Sequence, residues 1–349
     1  MKRVPLFIDA DGGRRPLKLG ERLGRGGEAN VYEVAGSSDL AAKLWLEPAP
    51  AQQAKLAAML RTVPDDPAAG SGHHALMWPQ AKVTDPDGRT VGFVMPRLDA
   101  HKARALHQVY HPGSRRRNAP GVGWHYLLRV ARNLSSTLSS LHAAGYVIGD
   151  LNESNVLASD RALVTLIDLD SIQVRDGRQV WRCEVGKLEY TPPELLGKSF
   201  REVNRRPASD VFAYAVLAFQ LLMEGFHPFS GVWLGKGEPP GLEANIRARR
   251  SAWFGSRQLR PPPAATRAHV LGPRLRRLFA RSLISPPFAR PTAADWQREL
   301  DRFEQQLKVC RLNPLHAYAG HLPACPWCAR KLELGTDPFP QHRPAQETI

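Results

Sequence analysis

The hydrophobic pattern of this chain changes near residue 98. Residues 19–46 alternate apolar and polar side chains around glycine-rich turns, and residues 82–98 have the pattern of a hairpin with its turn at Asp-Pro-Asp-Gly. Beyond this point the apolar spacing is helical, most clearly over residues 124–144, which end at Gly145. A strand-rich segment before a helix-rich one predicts an α+β chain, with a small β-rich lobe followed by a larger helical lobe.

The other segments are less strongly patterned. Residues 51–63 have helical composition, residues 101–120 are polar and predicted to be loop, and the tail from Asp337 is proline-rich and predicted to be loose. In the large lobe we expect two short strands, at residues 155–159 and 163–169. Three helices are expected after them, at residues 208–224, 274–283 and 292–309.

Composition excludes several classes of protein. Of 349 residues, 43% are hydrophobic and 23% are charged, which excludes a mainly disordered or collagen-like chain. The longest apolar stretch, residues 211–223, is too short to span a bilayer, and the N-terminus has no secretory signal pattern. Four cysteines in a chain of this length do not make a disulfide framework. We therefore expect a cytoplasmic protein with no membrane partner.

Basic charge is concentrated in the C-terminal half. The net charge is +15, and residues 201–349 carry 22 basic and 12 acidic groups. This predicts an acidic partner such as nucleic acid, a phosphorylated protein or an acidic protein surface; the alternative is a solvated basic face that reflects arginine-rich coding. A nucleic-acid-binding module would use the arginines around two aromatic rings, namely Arg247, Arg249, Arg250, Arg257 and Arg260 with Trp253 and Phe254, and the arginines that follow at 274, 276 and 277.

Two features of the strand-rich segment point to phosphate binding. Gly24, Gly26 and Gly27 lie in a turn between two strands, where the backbone can approach a phosphate, although such a turn is more often a plain hairpin loop. Lys43 stands in an otherwise apolar strand. A lysine there favours either a phosphate partner or a side chain that reaches solvent.

Three further side chains carry oxygen ligands. Asp150 and Asn155 lie in one loop, where they can hold a hydroxyl group and a metal ion, and Asp168 ends an apolar strand. Mg²⁺ binds few carboxylates together with phosphate oxygens, so an acidic strand end suits it. The order of glycine-rich loop, strand lysine, Asp-x₄-Asn loop and strand-end Asp resembles the eukaryotic-type Ser/Thr protein kinases.

The resemblance extends over about residues 19–307. Supporting matches are Tyr-Thr-Pro-Pro-Glu at 190–194, Ser-Asp-Val-Phe at 209–212 and Phe-Ala-Arg-Pro-Thr at 288–292. It implies an ion pair between Arg290 and Glu194. It also implies the two-lobed protein-kinase fold, with these divisions: N-lobe 1–98, C-lobe 99–309 and a C-terminal extension 310–349.

The resemblance implies a role for each motif. Asp150 would orient and deprotonate the substrate hydroxyl, and Lys43 would hold the α- and β-phosphates of ATP. Asn155 and Asp168 would hold Mg²⁺ or Mn²⁺. The nucleotide would also contact Gly24, Gly26, Gly27, Ala29, Val31, Met95, Pro96 and Leu98, with Met95 at the back of the adenine pocket. The implied activity is transfer of the γ-phosphate of ATP to a Ser or Thr hydroxyl of a protein.

Three stretches of sequence resemble one bacterial branch of these kinases more closely. They lie at residues 149–157, 167–174 and 321–328. Kinases of that branch are encoded in tellurite-resistance-like triads and often carry a helix-hairpin-helix segment. The resemblance implies a PP2C-type phosphatase and a von Willebrand A-domain protein as partners.

The chain departs from the kinase pattern at several positions. Gly149 stands in place of the usual arginine before the catalytic Asp, which predicts activity that does not depend on phosphorylation of the activation loop. Asn152 replaces a lysine, Asp170 replaces a glycine, and residues 51–63 hold no carboxylate to pair with Lys43. These changes keep an ATP-binding pseudokinase scaffold as an alternative.

The tail contains a Cys-x-x-Cys motif. Cys325 and Cys328 have the spacing of half a zinc site, and Cys310, His316 and His321 could complete the four ligands that structural zinc requires. A redox pair, or two thiols in a packed turn, are the alternatives.

Overall fold

The structure is a computed structural model, and it describes residues 5–10, 13–99 and 103–341. The N-terminal lobe contains seven strands and one helix: β1 (Leu6–Ala10), β2 (Gly13–Leu17), β3 (Leu19–Arg25), β4 (Ala29–Val34), β5 (Leu40–Trp45), α1 (Pro50–Arg61), β6 (Ala81–Thr84) and β7 (Thr90–Pro96). The strands form one antiparallel sheet with the order β2-β1-β6-β7-β5-β4-β3.

Both faces of this sheet are apolar. One face buries Ile8, Val83 and Val94. The other face packs Trp45 and Phe93 against helix α1. Because side chains alternate along a strand, Lys43 lies on the same face as Trp45, opposite Phe93 in the register of β5 and β7. The sheet therefore aims the strand lysine toward α1 and the cleft beneath it.

The first two strands are a correction to the sequence analysis, which began the sheet at residue 19. Strand β1 pairs with both β2 and β6, and Ile8 is buried in the core of the sheet. The run of three apolar residues from Leu6 to Ile8 was too short a signal to identify the strand alone.

The large lobe begins with β8 (Ala103–Ala105), α2 (Leu106–Tyr110), α3 (Pro112–Asn118) and α4 (Trp124–Ala143). It continues with β9 (Val156–Ser159), β10 (Val164–Leu166), β11 (Val174–Asp176), β12 (Gln179–Trp181), α5 (Pro207–Leu222), β13 (Val232–Trp233), α6 (Leu242–Arg247), β14 (Leu259–Arg260), α7 (Gly272–Ile284) and α8 (Ala293–Glu304). The last described elements are β15 (Leu307–Val309), β16 (Ala317–Ala319) and α9 (Pro326–Leu334).

Helix α5 forms the centre of the large lobe. Every residue from Ser209 to Leu222 is buried, which explains why its sequence is apolar on all sides. Helix α4 packs against it, and the Tyr214 hydroxyl donates to the Ala131 carbonyl at 2.9 Å. The two helices bracket the loop that carries Asp150.

Three predictions about the large lobe are wrong. The part of residues 101–120 that the structure describes is not loop: Leu106 and Val109 are fully buried and anchor α2. The helix predicted to reach residue 309 ends at Glu304, and residues 307–309 pair with β16. The tail from Asp337 to Gln341 is packed rather than loose, because Phe339 is fully buried. Residues 342–349 of the predicted loose tail lie outside the described residues.

Among the residues that the structure describes, no helix has both the length and the apolar composition needed to cross a bilayer.

Candidate active site

Lys43 meets two carboxylates. Its Nζ atom lies 2.8 Å from Asp168 Oδ1 and 2.5 Å from Asp170 Oδ1. Burial by itself would lower the pKa of Lys43, but the charges of Asp170 and then Asp168 more than offset it, and the pKa lies above its ordinary value. Lys43 is therefore a stable cation beside Asp168, although 125 positions separate the two in the sequence.

Asp168 adopts a left-handed backbone conformation, with φ 59° and ψ 37°. Residues other than glycine seldom do so, and such conformations are found at functional sites. The Ser171 hydroxyl donates to the Asp168 carbonyl at 2.9 Å, which closes the turn. The Asp168 side chain is half exposed. Its carboxylate is thus presented to the cleft between the lobes.

A second lysine approaches the same turn from helix α1. Lys55 Nζ donates to the Asp170 carbonyl at 2.6 Å. Burial lowers the pKa of Lys55 to about 8, although the Asp170 carboxylate opposes the shift. Helix α1 has no acidic residue, and the structure shows that Asp170 supplies the additional carboxylate for Lys43. Sequence reasoning missed this pair, because only the tertiary fold brings Asp170 to the strand lysine.

Asp150 and Asn155 face one another across the loop after α4. Asn155 Nδ2 donates to the Asp150 carbonyl at 3.0 Å and to its Oδ2 at 3.3 Å. Asn152 is buried, and its Nδ2 donates to Asp150 Oδ1 at 2.9 Å. The Ile167 N–H donates to the Asn155 carbonyl at 3.1 Å. This bond joins the loop to the residue next to Asp168, so the two pairs of predicted site residues are neighbours.

A buried carboxylate holds the start of this loop. Asp210, in the first turn of α5, accepts the backbone N–H of Ile148 at 2.7 Å and that of Gly149 at 2.8 Å. Its Oδ2 is also 3.0 Å from His142 Nε2. Since α5 is the central helix of the lobe, the loop is fixed to its buried core. A sequence signal exists, because Asp210 is an acidic residue at the start of a strongly apolar run.

The cleft itself has a volume of about 670 Å³ and lies under the glycine-rich turn. Its walls include seven of the predicted site residues, namely Gly24, Gly26, Gly27, Ala29, Val31, Lys43 and Asp168. Met95 lies opposite Ala41 in the neighbouring strand, Pro96 ends β7, and Leu98 follows that strand. These three residues and the Asp150–Asn155 pair lie outside the lining of this cleft.

Arg205 occupies the space next to Gly149. Gly149 has φ +79°, and a Cβ atom added there would lie 2.6 Å from Arg205 Nη1 and 2.7 Å from Cys183 Cβ. The Arg205 guanidinium donates to the Val185 carbonyl and lies 3.8 Å above the ring of Phe200. The glycine thus makes room for an arginine that holds the segment around residues 183–185. Sequence reasoning did not identify Arg205.

The implied pair between Arg290 and Glu194 is confirmed. Arg290 Nη1 and Nη2 donate to the two carboxylate oxygens of Glu194 at 2.5 and 2.8 Å, and Nη1 also donates to the Ala208 carbonyl at 3.0 Å. The Arg290 side chain is fully buried. This pair joins Glu194 to the start of α5, where Ala208 lies.

The aromatic rings of the basic cluster are part of the core. Trp253 and Phe254 are buried and pack against Phe219, and Trp253 Nε1 donates to the Thr266 carbonyl at 3.1 Å. They are therefore not placed to stack on nucleic-acid bases. The basic charge of the C-terminal half is then the remaining argument for nucleic-acid binding.

Comparison with known proteins agrees with this geometry. The model of the family described as "Protein kinase domain" matches residues 99–296. The chain is 37% identical over 318 residues to Protein kinase YegI of Escherichia coli O157:H7, which is 89% of this chain and 48% of that protein. It is 32% identical over 109 residues to the Serine/threonine-protein kinase PknL of Mycobacterium tuberculosis (strain ATCC 25618 / H37Rv), 31% of this chain and 26% of that protein.

The chain thus spans about half the length of YegI. The family match covers more than half of the chain and includes the loop with Asp150 and Asn155, the strand-end Asp168 and the Glu194–Arg290 pair. The two lobes and the central buried helix agree with it. The chain therefore belongs to the protein kinase family.

Proposed function

We propose that this protein transfers the γ-phosphate of ATP to Ser or Thr hydroxyls of a protein. One observation carries the proposal: the Lys43 ammonium is 2.8 Å from the Asp168 carboxylate, beside a loop in which Asp150 and Asn155 face each other. Phosphoryl transfer requires positioning and charge neutralisation rather than covalent chemistry, and these groups supply both. The Ser/Thr preference is supported by the similarity to the Serine/threonine-protein kinase PknL.

Asn155 and Asp168 fit a divalent metal. Both offer oxygen atoms, the Asp168 carboxylate is half exposed on the cleft wall, and the Ile167–Asn155 backbone bond joins the loop of Asn155 to the residue next to Asp168. Mg²⁺ or Mn²⁺ prefers such ligands, and when bound it neutralises charge on the phosphates. Lys43 would orient the α- and β-phosphates, and the backbone of Gly24 to Ala29 would cover them.

Asp150 would accept the proton of the substrate hydroxyl. Its two carboxylate oxygens are already oriented by the amide groups of Asn152 and Asn155. Asn152 thus acts as a positioning residue for Asp150, in place of the lysine that would neutralise the transferred phosphate. We assign Asp170 a positioning role toward Lys43, and Lys55 a role as a second cation near the phosphates.

We also propose that activity does not depend on activation-loop phosphorylation. Arg205 already joins the segment at Cys183 and Val185 to the core, and Gln173 exchanges two hydrogen bonds with the Arg205 backbone at 2.8 and 2.9 Å. Gly149 has no side chain that could bind a phosphate group on the activation loop. Phosphatase-treated enzyme should keep its rate, and a large increase after autophosphorylation at Ser171 or Thr191 would contradict this.

The activity test compares Asp150→Asn with wild type in transfer of labelled γ-phosphate, with Mg²⁺ and with Mn²⁺. Loss of a general base is expected to lower the rate by roughly 10²-fold or more. Asp87→Asn, in an exposed hairpin turn, is the matched control and should behave as wild type. A wild-type protein that ATP stabilises against heat but that transfers no phosphate would instead be a pseudokinase scaffold.

Two other parts of the proposal are supported by the resemblance: the PP2C-type phosphatase and von Willebrand A-domain protein as partners, and domain boundaries at residues 98 and 309. A cytoplasmic location is an expectation from the composition of the sequence. Zinc at Cys325 and Cys328 concerns a different site from the nucleotide cleft.

A further inference from the structure

The C-terminal extension brings four potential metal ligands together. Their ligand atoms all lie within 4.8 Å of one another and belong to Cys310, His316, Cys325 and Cys328. We propose that these side chains bind one Zn²⁺ ion tetrahedrally and that the ion holds residues 307–341 folded against the large lobe. The proposal is independent of the kinase activity, because the cluster shares no residue with the cleft.

The spacings match the edges of a tetrahedral zinc site. Cys310 Sγ is 3.5 Å from Cys328 Sγ, and His316 Nδ1 is 3.7 Å from Cys325 Sγ and 3.6 Å from Cys328 Sγ. Zn–S bonds of about 2.3 Å and Zn–N bonds of about 2.0–2.1 Å give S–S edges of about 3.8 Å and S–N edges of about 3.6 Å. The thiols are free, with no disulfide among them.

The β15–β16 hairpin and the start of α9 each contain two of the four ligands. In the β15–β16 hairpin, the Cys310 N–H donates to the His316 carbonyl at 2.9 Å, so these two residues form the next pair after Val309 and Ala317. Cys325 caps the N-terminus of α9, and Cys328 lies in the first turn of that helix. A hairpin end and a helix start thus face each other across the cluster.

A carboxylate fixes the histidine in the state that a metal requires. His316 is 1% exposed, and its Nε2 lies 2.7 Å from Asp337 Oδ1, to which the Phe339 N–H also donates at 3.0 Å. With its Nε2–H donated to Asp337, the ring keeps the Nδ1 lone pair, which faces the thiols. His321 is not part of the cluster: its ring nitrogens are not among the ligand atoms that lie within 4.8 Å of one another, and its Nε2 lies 3.0 Å from the His269 carbonyl oxygen. A redox dithiol would need neither His316 nor Asp337.

The ion would stabilise a segment that is part of the large-lobe core. Trp327, between the two cysteines of α9, is fully buried, and its Nε1 donates to the Ala317 carbonyl at 2.6 Å. Its ring centre lies 5.5 Å from that of Trp124, the first residue of α4, and 5.0 Å from that of Phe339. The Trp124 N–H donates to the Leu315 carbonyl at 3.1 Å, inside the hairpin loop.

The test measures the zinc content of the full chain by elemental analysis. We expect about one equivalent in wild type and in the matched control His321→Ala, and a loss of most of it in His316→Ala. Removal of the metal by a strong chelator should lower the Tm of wild type and leave that of His316→Ala unchanged.

If His316→Ala does not fold, wild type produced with Co²⁺ replaces it. The strong visible absorption of a tetrahedral cobalt–thiolate site then supports the proposal. A wild-type protein that takes up neither zinc nor cobalt, or that carries a Cys325–Cys328 disulfide when purified under non-oxidising conditions, overturns it. Retention of zinc by His316→Ala with loss from His321→Ala overturns it as well.

Discussion

Substitution of Asp210 by asparagine tests how the catalytic loop is positioned. The Asp210 carboxylate is 1% exposed and accepts two backbone N–H groups, from Ile148 and Gly149, while its Oδ2 is also 3.0 Å from His142 Nε2. Asparagine keeps one acceptor and replaces the other with an amide group that can only donate. One of the two buried N–H groups is then left without a partner.

The size of the effect follows from these contacts. A buried N–H without a partner costs about 1–3 kcal/mol, and the remaining bond weakens because its acceptor is no longer charged. We expect the free energy of unfolding to fall by about 3 kcal/mol. At roughly 2 °C per kcal/mol for a chain of this size, the Tm should fall by about 6 °C. A loop displaced by about 1 Å should also lower kcat by about 10²-fold.

Thermal denaturation followed by circular dichroism, with initial-rate kinetics, measures both effects. Asp160→Asn is the matched control, because the Asp160 side chain is 69% exposed and its pair with Arg104 contributes about 1 kcal/mol or less. If Asp210→Asn and Asp160→Asn unfold at the same temperature, Asp210 does not hold the loop and the reasoning is refuted.

Three further predictions concern charged groups. Asp170→Ala removes one of the two carboxylates at Lys43, and we expect the KM for ATP to rise about tenfold, which equals about 1.4 kcal/mol; an unchanged KM would contradict its positioning role. The pKa of Lys55 is lowered to about 8, so its charge is present below that pH and lost above it. The value of kcat/KM for ATP should therefore fall as the pH rises through 8, and Lys55→Met should remove that part of the profile. Arg290→Met leaves the Glu194 carboxylate unpaired, and we expect its free energy of unfolding, measured by urea denaturation, to fall by about 3–5 kcal/mol. For Arg302→Met, on an exposed helix surface, the free energy of unfolding should fall by less than about 1 kcal/mol. Equal decreases in the two variants would argue against a structural role for the Arg290–Glu194 pair.

The order of motifs along the sequence was sufficient to predict the pairs at the site. Lys43 and Asp168 lie 125 positions apart, yet the strand pattern around each one, together with the resemblance, indicated that they meet. The second carboxylate at Lys43 was not predictable. Asp170 follows Asp168 by two residues, and only the turn after β10 decides that both carboxylates reach the same ammonium.

Elements with weak local signals were also missed. Residues 103–118 are polar on average, and the burial of Leu106 and Val109 shows that α2 packs on the core. Arg205 could not be distinguished from other arginines by sequence, because its role depends on the space beside Gly149. In each case the deciding contact joins residues distant in the chain, where neither composition nor periodicity carries information.

The contact between Arg205 and the 183–185 segment has a consequence for control. A guanidinium keeps its charge at any physiological pH, and a phosphatase cannot remove it. A kinase whose ordering group is permanent in this way would show linear progress curves from the first turnover, with no lag while a modification accumulates. If the rate is independent of phosphorylation, as proposed, a phosphatase acting on that segment would leave these progress curves unchanged.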